Sequence, residues 1–208
     1  MNSITSCDDF FHARTGKQGC LLGGCMRIAY ALLFLFDRVI LGLDLDEYFS
    51  PTHGKLPLSA GRDDRAGWTP YNWTLFELYP ESDTFLWLVY CVGLVQGLLL
   101  LAGIAPRLQL IGIMINLISF HNHNSLFWDQ QDVTFRTWCF LLLFLPIHNV
   151  TVYDWKSKNL KEVSWPMWPF RLWQIEMVFI YLGASLGKLD GPAWTEGLAM
   201  YRISHTTD

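Results

Sequence analysis

Charge is what this chain has least of. Asp, Glu, Lys and Arg make up 16% of its 208 residues, against the ~25% usual in a soluble domain. The balance is slightly acidic, with a formal net charge of -4, so the chain carries no basic footprint for nucleic acid. Cysteine is sparse as well. Cys7, Cys20, Cys25, Cys91 and Cys139 are odd in number and include no C-x-x-C pair, which argues against a disulfide framework. Cys20 and Cys25 read as packing thiols before they read as acylation sites. A signal-peptide start is also missing. The first apolar run begins near residue 20, behind Asp8, Asp9, Arg14 and Lys17, and exceeds the ~7 to 15 residues of a signal core, so an uncleaved first span fits better.

What the chain has in quantity is hydrocarbon. Hydrophobic residues reach 51% and aromatics 15%, with ten Trp and fourteen Phe, a membrane profile with rings suited to both interfaces. The apolar runs predict an all-α fold, a multi-pass transmembrane helix bundle of about five spans. Residues 84–105 are the cleanest, a run without charge whose polar interior residue is Gln96, long enough for ~30 Å of hydrocarbon. The first span, 21–43, contains Arg27, Asp37 and Arg38 and must pack inside a bundle. The runs 108–120 and 135–147 are short, and the fifth covers 169–186 with Glu176 near its middle. Residues 1–20 then form a cytoplasmic N-terminal segment, 21–201 the transmembrane domain and 202–208 a C-terminal tail.

Positive charge in the short connections sets orientation. With the N-terminus cytoplasmic, that side collects Arg14, Lys17, Arg107, Lys156, Lys158 and Lys161, while the opposite side holds Lys55, Arg62 and Arg65. This puts residues 44–83, 121–133 and Lys188 on the lumenal or extracellular face. Of two glycosylation patterns, Asn72-Trp73-Thr74 lies on that face and Asn149-Val150-Thr151 on the cytoplasmic one. Equal depth allows Arg27 to pair with Glu176, and i, i+4 spacing allows Asp132 to pair with Arg136.

Several segments resemble one family in order along the chain. They are Asp37-Arg38, Phe49-Ser50 and Gly54, then Asn124 to Arg136 leading into Phe144-Leu145-Pro146. Arg171, Gln174-Ile175, Tyr181-Leu182-Gly183-Ala184, Gly187-Lys188-Leu189 and Trp194-Thr195-Glu196-Gly197 follow. Together they are similar to vitamin K-dependent gamma-glutamyl carboxylases and to the wider group sharing the horizontally transferred transmembrane, or HTTM, domain. The Gly-Pro between Lys188 and Trp194 favours the wider group. Complete carboxylases continue into a large lumenal domain that would present a peptide glutamate. The chain as given ends at Asp208, so it reads as a fragment, a truncated gene product or a minimal relative, and peptide carboxylation becomes the minor reading.

The resemblance implies a catalytic role for Lys188, with Asn122 and His123 beside it. In the carboxylases the matching lysine deprotonates a vitamin K hydroquinone, oxygen adds, and the strong base so formed removes a gamma proton from glutamate. The implied cofactor is thus a hydroquinone-like lipid quinol, and the implied partners are membrane lipid and a lipid quinone. A lysine works as a base only when neutral, which needs an apolar pocket, and Asp190 close by opposes it. The carboxylases carry Asn-Asn-His-Ser where this chain has Asn122-His123-Asn124-Ser125, a shifted match. His121 and His123, two apart, point to opposite faces of a helix, so no metal site is expected. A second function stays open, a non-enzymatic scaffold, transporter component or assembly factor in which Lys188 only marks the lipid-water boundary. The membrane is the endoplasmic reticulum in a eukaryote and the inner or plasma membrane in a bacterium.

Overall fold

The computed structural model describes residues 14–15, 17–55, 73–123, 130–147 and 165–198. Asn72, Asn124, Ser125, Asn149 and Lys156, the 202–208 tail and most of the N-terminal segment lie outside the described residues. The chain divides into two bodies, one comprising 13–166 and the other 1–12 with 167–208.

In the first body, a short strand β1 (Arg14–Thr15) precedes the long helix α1 (Lys17–Asp44), which runs on into a π-helical turn, Leu45–Phe49. A 3-10 turn, Leu75–Leu78, leads to α2 (Asp83–Ala102), α3 (Pro106–His123), α4 (Gln130–Leu142) and strand β2 (Trp165–Pro166). β1 and β2 pair antiparallel, with Arg14 opposite Pro166 and Thr15 opposite Trp165. Helix α1 packs on α2, α2 on α3, α3 on α4, and α4 back on α1, the closed ring of an antiparallel four-helix bundle.

Local chemistry explains the helix limits. Ser82 caps α2 by accepting the Phe85 amide at 3.2 Å. Gly103, at φ 79°, ends it. Its N–H reaches Leu100 O at 3.1 Å and that of Ile104 reaches Leu99 O at 2.9 Å, the Schellman closure that glycine permits. Pro106 then opens α3, a first-turn position where its missing N–H costs nothing. The apolar run at 135–147 overlaps α4 but is shifted towards the C-terminus relative to it. The helix begins five residues earlier, with Asp132 in its first turn facing the positive helix end, and from Leu143 the chain continues in turns towards Pro146.

Along α1 the burial pattern departs from that of a water-soluble helix. The buried stripe is Arg27, Tyr30, Ala31, Phe34 and Arg38, with Arg27 0% and Arg38 2% exposed. The outer face is Leu32, Leu33, Phe36, Val39, Ile40 and Leu43, with Phe36 66% and Leu43 80% exposed. On α3, Leu108, Ile111 and Ile115 are exposed, while Asn116, Ser119, Asn122 and His123 towards its C-terminal end are buried together with Leu110, Ile113, Leu117 and Phe120. Among the described residues one helix, α2, is long and apolar enough to cross a membrane, with a mean hydropathy of 2.2.

Three interior side chains reach backbone carbonyls of other segments. Arg27 Nη1 donates to Ile147 O at 3.3 Å. Tyr30 Oη donates to Phe135 O at 3.1 Å. Cys139 Sγ reaches Leu110 O at 3.3 Å. In the second body, α5 (Trp168–Asp190) is followed by the single turn α6 (Pro192–Thr195), close to the 169–186 span read from the sequence.

Candidate functional site

The polar groups of the first body gather at the end of the bundle where α1 stops, α2 starts and α3 stops. The last turns of α3 are stapled to residues 73–76. Thr74 Oγ1 donates to Ser119 O at 2.9 Å, and Ser119 Oγ accepts the Leu75 amide at 3.3 Å. Asn122 Nδ2 donates to Trp73 O at 2.9 Å. His123, 1% exposed, lies between two rings, its centroid 5.4 Å from that of Phe49 and 4.9 Å from that of Phe76. His121 turns the other way, its Nε2 3.3 Å from Asp132 Oδ1 on α4. The two histidines therefore serve opposite faces of α3, and among the described residues no three His, Cys, Asp or Glu side chains gather where they could hold a metal ion.

Next to His123 lies a layer built on Arg38. Its Nε and Nη2 donate to Asp37 Oδ2 at 3.0 and 2.8 Å, and Nη1 to Asn116 Oδ1 at 3.2 Å. The guanidinium sits 5.2 Å from the Phe34 centroid and 5.0 Å from that of Phe120, within cation–π range. Asn116 Nδ2 donates to Val89 O at 2.8 Å and Tyr90 Oη to Arg38 O at 3.0 Å, tying α1, α2 and α3 together. Phe120 belongs to this layer and also packs 5.8 Å from Phe49 and 5.1 Å from Phe76. Aromatic contacts thus run from the buried cation to the imidazole of His123.

A third group joins the start of α2 to the turn after α1. Ser50 Oγ donates to Asp83 Oδ1 at 2.6 Å and Thr52 Oγ1 to Asp83 Oδ2 at 2.5 Å. Gly54 closes the turn, its amide 3.0 Å from Ser50 O. A Cβ there would fall 2.4 Å from that same oxygen, so the position has no room for a side chain. Beyond it Lys55 pairs with Glu47. That hydrogen bond and the Glu47 charge hold the Lys55 ammonium above its ordinary pKa.

Lys188 belongs to the second body. There it is exposed, and its Nζ lies 4.8 Å from the Trp194 ring centroid. The ring attracts the cation. Asn122 and His123 are brought together at the end of α3, each in a structural contact, whereas Lys188 is positioned by its own helix and the turn after it. Sequence reasoning missed Asn116, Ser119, Thr74, His53 and Asp83. Only the Ser-Pro-Thr-His-Gly run and the Ser-Asp start of α2 carried a signal for the last two. A shallow apolar groove of about 230 Å³ also opens between α2 and α3, lined by Leu75, Phe85, Leu88, Val92 and Ile115 with Asn116 among them.

Compared with known proteins, the chain matches no protein-family model, no curated protein and no solved structure.

Proposed function

We propose that the chain is a multi-pass integral membrane protein of the HTTM and gamma-carboxylase-like type, acting on a lipid quinol at the outer end of its helices. The observation that carries this reading is the inverted burial of α1. Two arginines lie inside at 0% and 2% exposure while leucine, valine, isoleucine and phenylalanine cover the outside. In water such an arrangement forfeits the hydrophobic effect twice, exposing apolar surface and desolvating charge. In a bilayer both terms reverse, because lipid covers the apolar face and interior polar groups satisfy one another.

The N-terminus is placed on the cytoplasmic side by the distribution of lysine and arginine. The outer end then carries His123, Asn122 and the Asp83 group, and the groove between α2 and α3 suits a hydrocarbon tail. In the quinol reading, Lys188 as the neutral amine takes the hydroquinone proton, with dioxygen as co-reactant; donation to an oxyanion by Asn122 or His123 is the separate role that the resemblance implies for the end of α3. Asn122 has one amide hydrogen on Trp73 O and a second to offer. The alternative, a non-enzymatic membrane scaffold or assembly factor, draws support from that same bond, which gives Asn122 a purely structural use.

Two measurements test the proposal. The chain should stay with membranes through alkaline carbonate extraction, and release into the supernatant refutes the membrane reading. In nanodiscs with vitamin K hydroquinone and dioxygen, wild type should oxidise the quinol and Lys188→Ala should not, with partial recovery by a small amine at high pH. Lys188→Arg should stay inactive, because a guanidinium does not deprotonate in proteins. Equal oxidation by the alanine variant removes Lys188 from the chemistry, and no oxidation by wild type favours the scaffold.

A further inference from the structure

The group at the start of α2 has a hydrogen inventory that closes in one way. Asp83 as a carboxylate only accepts, so the hydrogen in its 2.6 Å contact comes from Ser50 and that in its 2.5 Å contact from Thr52. Each hydroxyl has a single hydrogen, and the short contacts to the carboxylate take both in preference to the 3.3 Å contact between the two hydroxyl oxygens. His53 Nδ1 stands 3.2 Å from Ser50 Oγ and 2.8 Å from Thr52 Oγ1. Facing two oxygens with nothing left to donate, Nδ1 itself must carry the proton. The backbone amides of Thr52 and His53 also donate to Ser50 Oγ, at 3.3 and 3.2 Å, so that oxygen accepts from them while its one hydrogen goes to Asp83. A neutral imidazole protonated at Nδ1 has its lone pair on Nε2.

We infer that Asp83, acting through Ser50 and Thr52, fixes His53 as the Nδ1–H tautomer and makes its Nε2 a basic nitrogen that takes up an O–H donor at the outer end of the bundle. The local folding favours this. Ser50 is fully buried, Pro51 starts the turn, and Gly54 lets the turn close on Ser50 O, so both hydroxyls are held in place while the His53 ring is exposed. The arrangement has the logic of a catalytic base with an orienting carboxylate, with two hydroxyls inserted between carboxylate and imidazole. Ser50, Thr52 and Asp83 are positioning residues here, and His53 is the group that meets the ligand. In the proton transfer, the O–H bond of the donor breaks, its electron pair stays on oxygen, and the new N–H bond forms at Nε2. The imidazolium then returns that proton to water. The choice of a phenolic O–H as the donor rests on the quinol reading above, whereas the tautomer does not.

The test uses the full chain in nanodiscs with 15N-labelled histidine, the His53 signals assigned by difference from His53→Gln. At alkaline pH, long-range proton–nitrogen spectra of wild type should show Nδ1 protonated and Nε2 bare. Ser50→Ala with Thr52→Val should return the ring to the Nε2–H form that free histidine side chains favour, with the His121 and His123 signals in place as the check on folding. Should that double variant not fold, Thr52→Val alone serves, since it removes the nearer acceptor. An Nε2–H ring in wild type, or an unchanged tautomer in the folded variant, overturns the inference. Adding reduced menadione should then shift Nε2 and leave Nδ1 in place, and absence of that shift overturns the binding role. A shift without quinol turnover leaves His53 as an O–H binding site and defeats only the oxidase reading.

Discussion

Replacing Arg38 by methionine tests the interior of the bundle most directly. The guanidinium makes two hydrogen bonds to Asp37 and one to Asn116 and lies against the Phe34 and Phe120 rings. Breaking a buried ion pair costs ~3–5 kcal/mol when the abandoned charge stays buried. Here the Asp37 side chain is 42% exposed, so solvent takes up its charge and that component falls towards the ~0–1 kcal/mol of a surface pair. Leaving Asn116 Oδ1 without its donor adds ~1–3 kcal/mol, and two lost ring contacts add ~0.5–2 kcal/mol each. Methionine returns part of this by filling the space between the rings. The net expectation is a loss of roughly 2–4 kcal/mol from these opposing terms. Reversible unfolding in detergent should show it for Arg38→Met. The Arg38→Met and Asn116→Leu pair should lose less than the sum of the singles, because the two share one contact. A single variant within ~0.5 kcal/mol of wild type, or strict additivity in the pair, refutes the reasoning.

Three further outcomes follow from close contacts. A Cβ on Gly42 would stand 2.2 Å from Tyr90 Oη, so Gly42→Ala should cost ~1–3 kcal/mol by overpacking. Tyr90→Phe in that background should recover part of it by removing the clashing oxygen, and a variant as stable as wild type contradicts the α1–α2 approach. Asn122→Leu strips Trp73 O of its donor and should lower unfolding stability by ~1–3 kcal/mol. No loss would release Asn122 from its structural role and strengthen a catalytic one. Lys55 in wild type should titrate at higher pH than in Glu47→Gln by carbon NMR of its Cε. The folded pKa is raised, so the pair's contribution is complete below the unfolded value and disappears as pH rises through the folded one. Equal midpoints in the two proteins would remove the pair.

The elements readable from the sequence were those set by one-dimensional pattern. The uncharged 84–105 run became α2 almost unchanged, because helix length and apolar continuity are local properties and Ser82 and Gly103 mark its ends. Arg27 and Arg38 were legible as interior residues, since charge within an apolar run has few other places to go. Two contacts they make within the first body were not. Asn116 lies 78 positions from Arg38, and Ile147 O, which receives Arg27, is a backbone atom 120 positions away with no side-chain signature. The start of α4 was legible only through the i, i+4 spacing of Asp132 and Arg136, because its first turn is polar and an apolar count begins at Phe135.

The site divides along the same line. A histidine–asparagine cluster at a helix end is visible as composition, but its use depends on what the neighbouring segment brings. Here residues 73–76 bring carbonyls and rings, which turn Asn122 into a tie and enclose His123 between Phe49 and Phe76. The family pattern drew attention to Phe49-Ser50 and Gly54 without a reason for them, and the reason is geometric. Phe49 packs against His123, Ser50 binds Asp83, and Gly54 allows the turn that joins them. His53 stayed invisible because neither neighbour alone makes it a base, and its tautomer follows only once two hydroxyl hydrogens are assigned to one carboxylate 30 residues further along the chain. Lys188 is the reverse case, prominent in sequence yet exposed within its own body. Its role is therefore settled by chemistry and not by position, and hydroquinone oxidation by wild type and Lys188→Ala in a bilayer is the measurement that decides it.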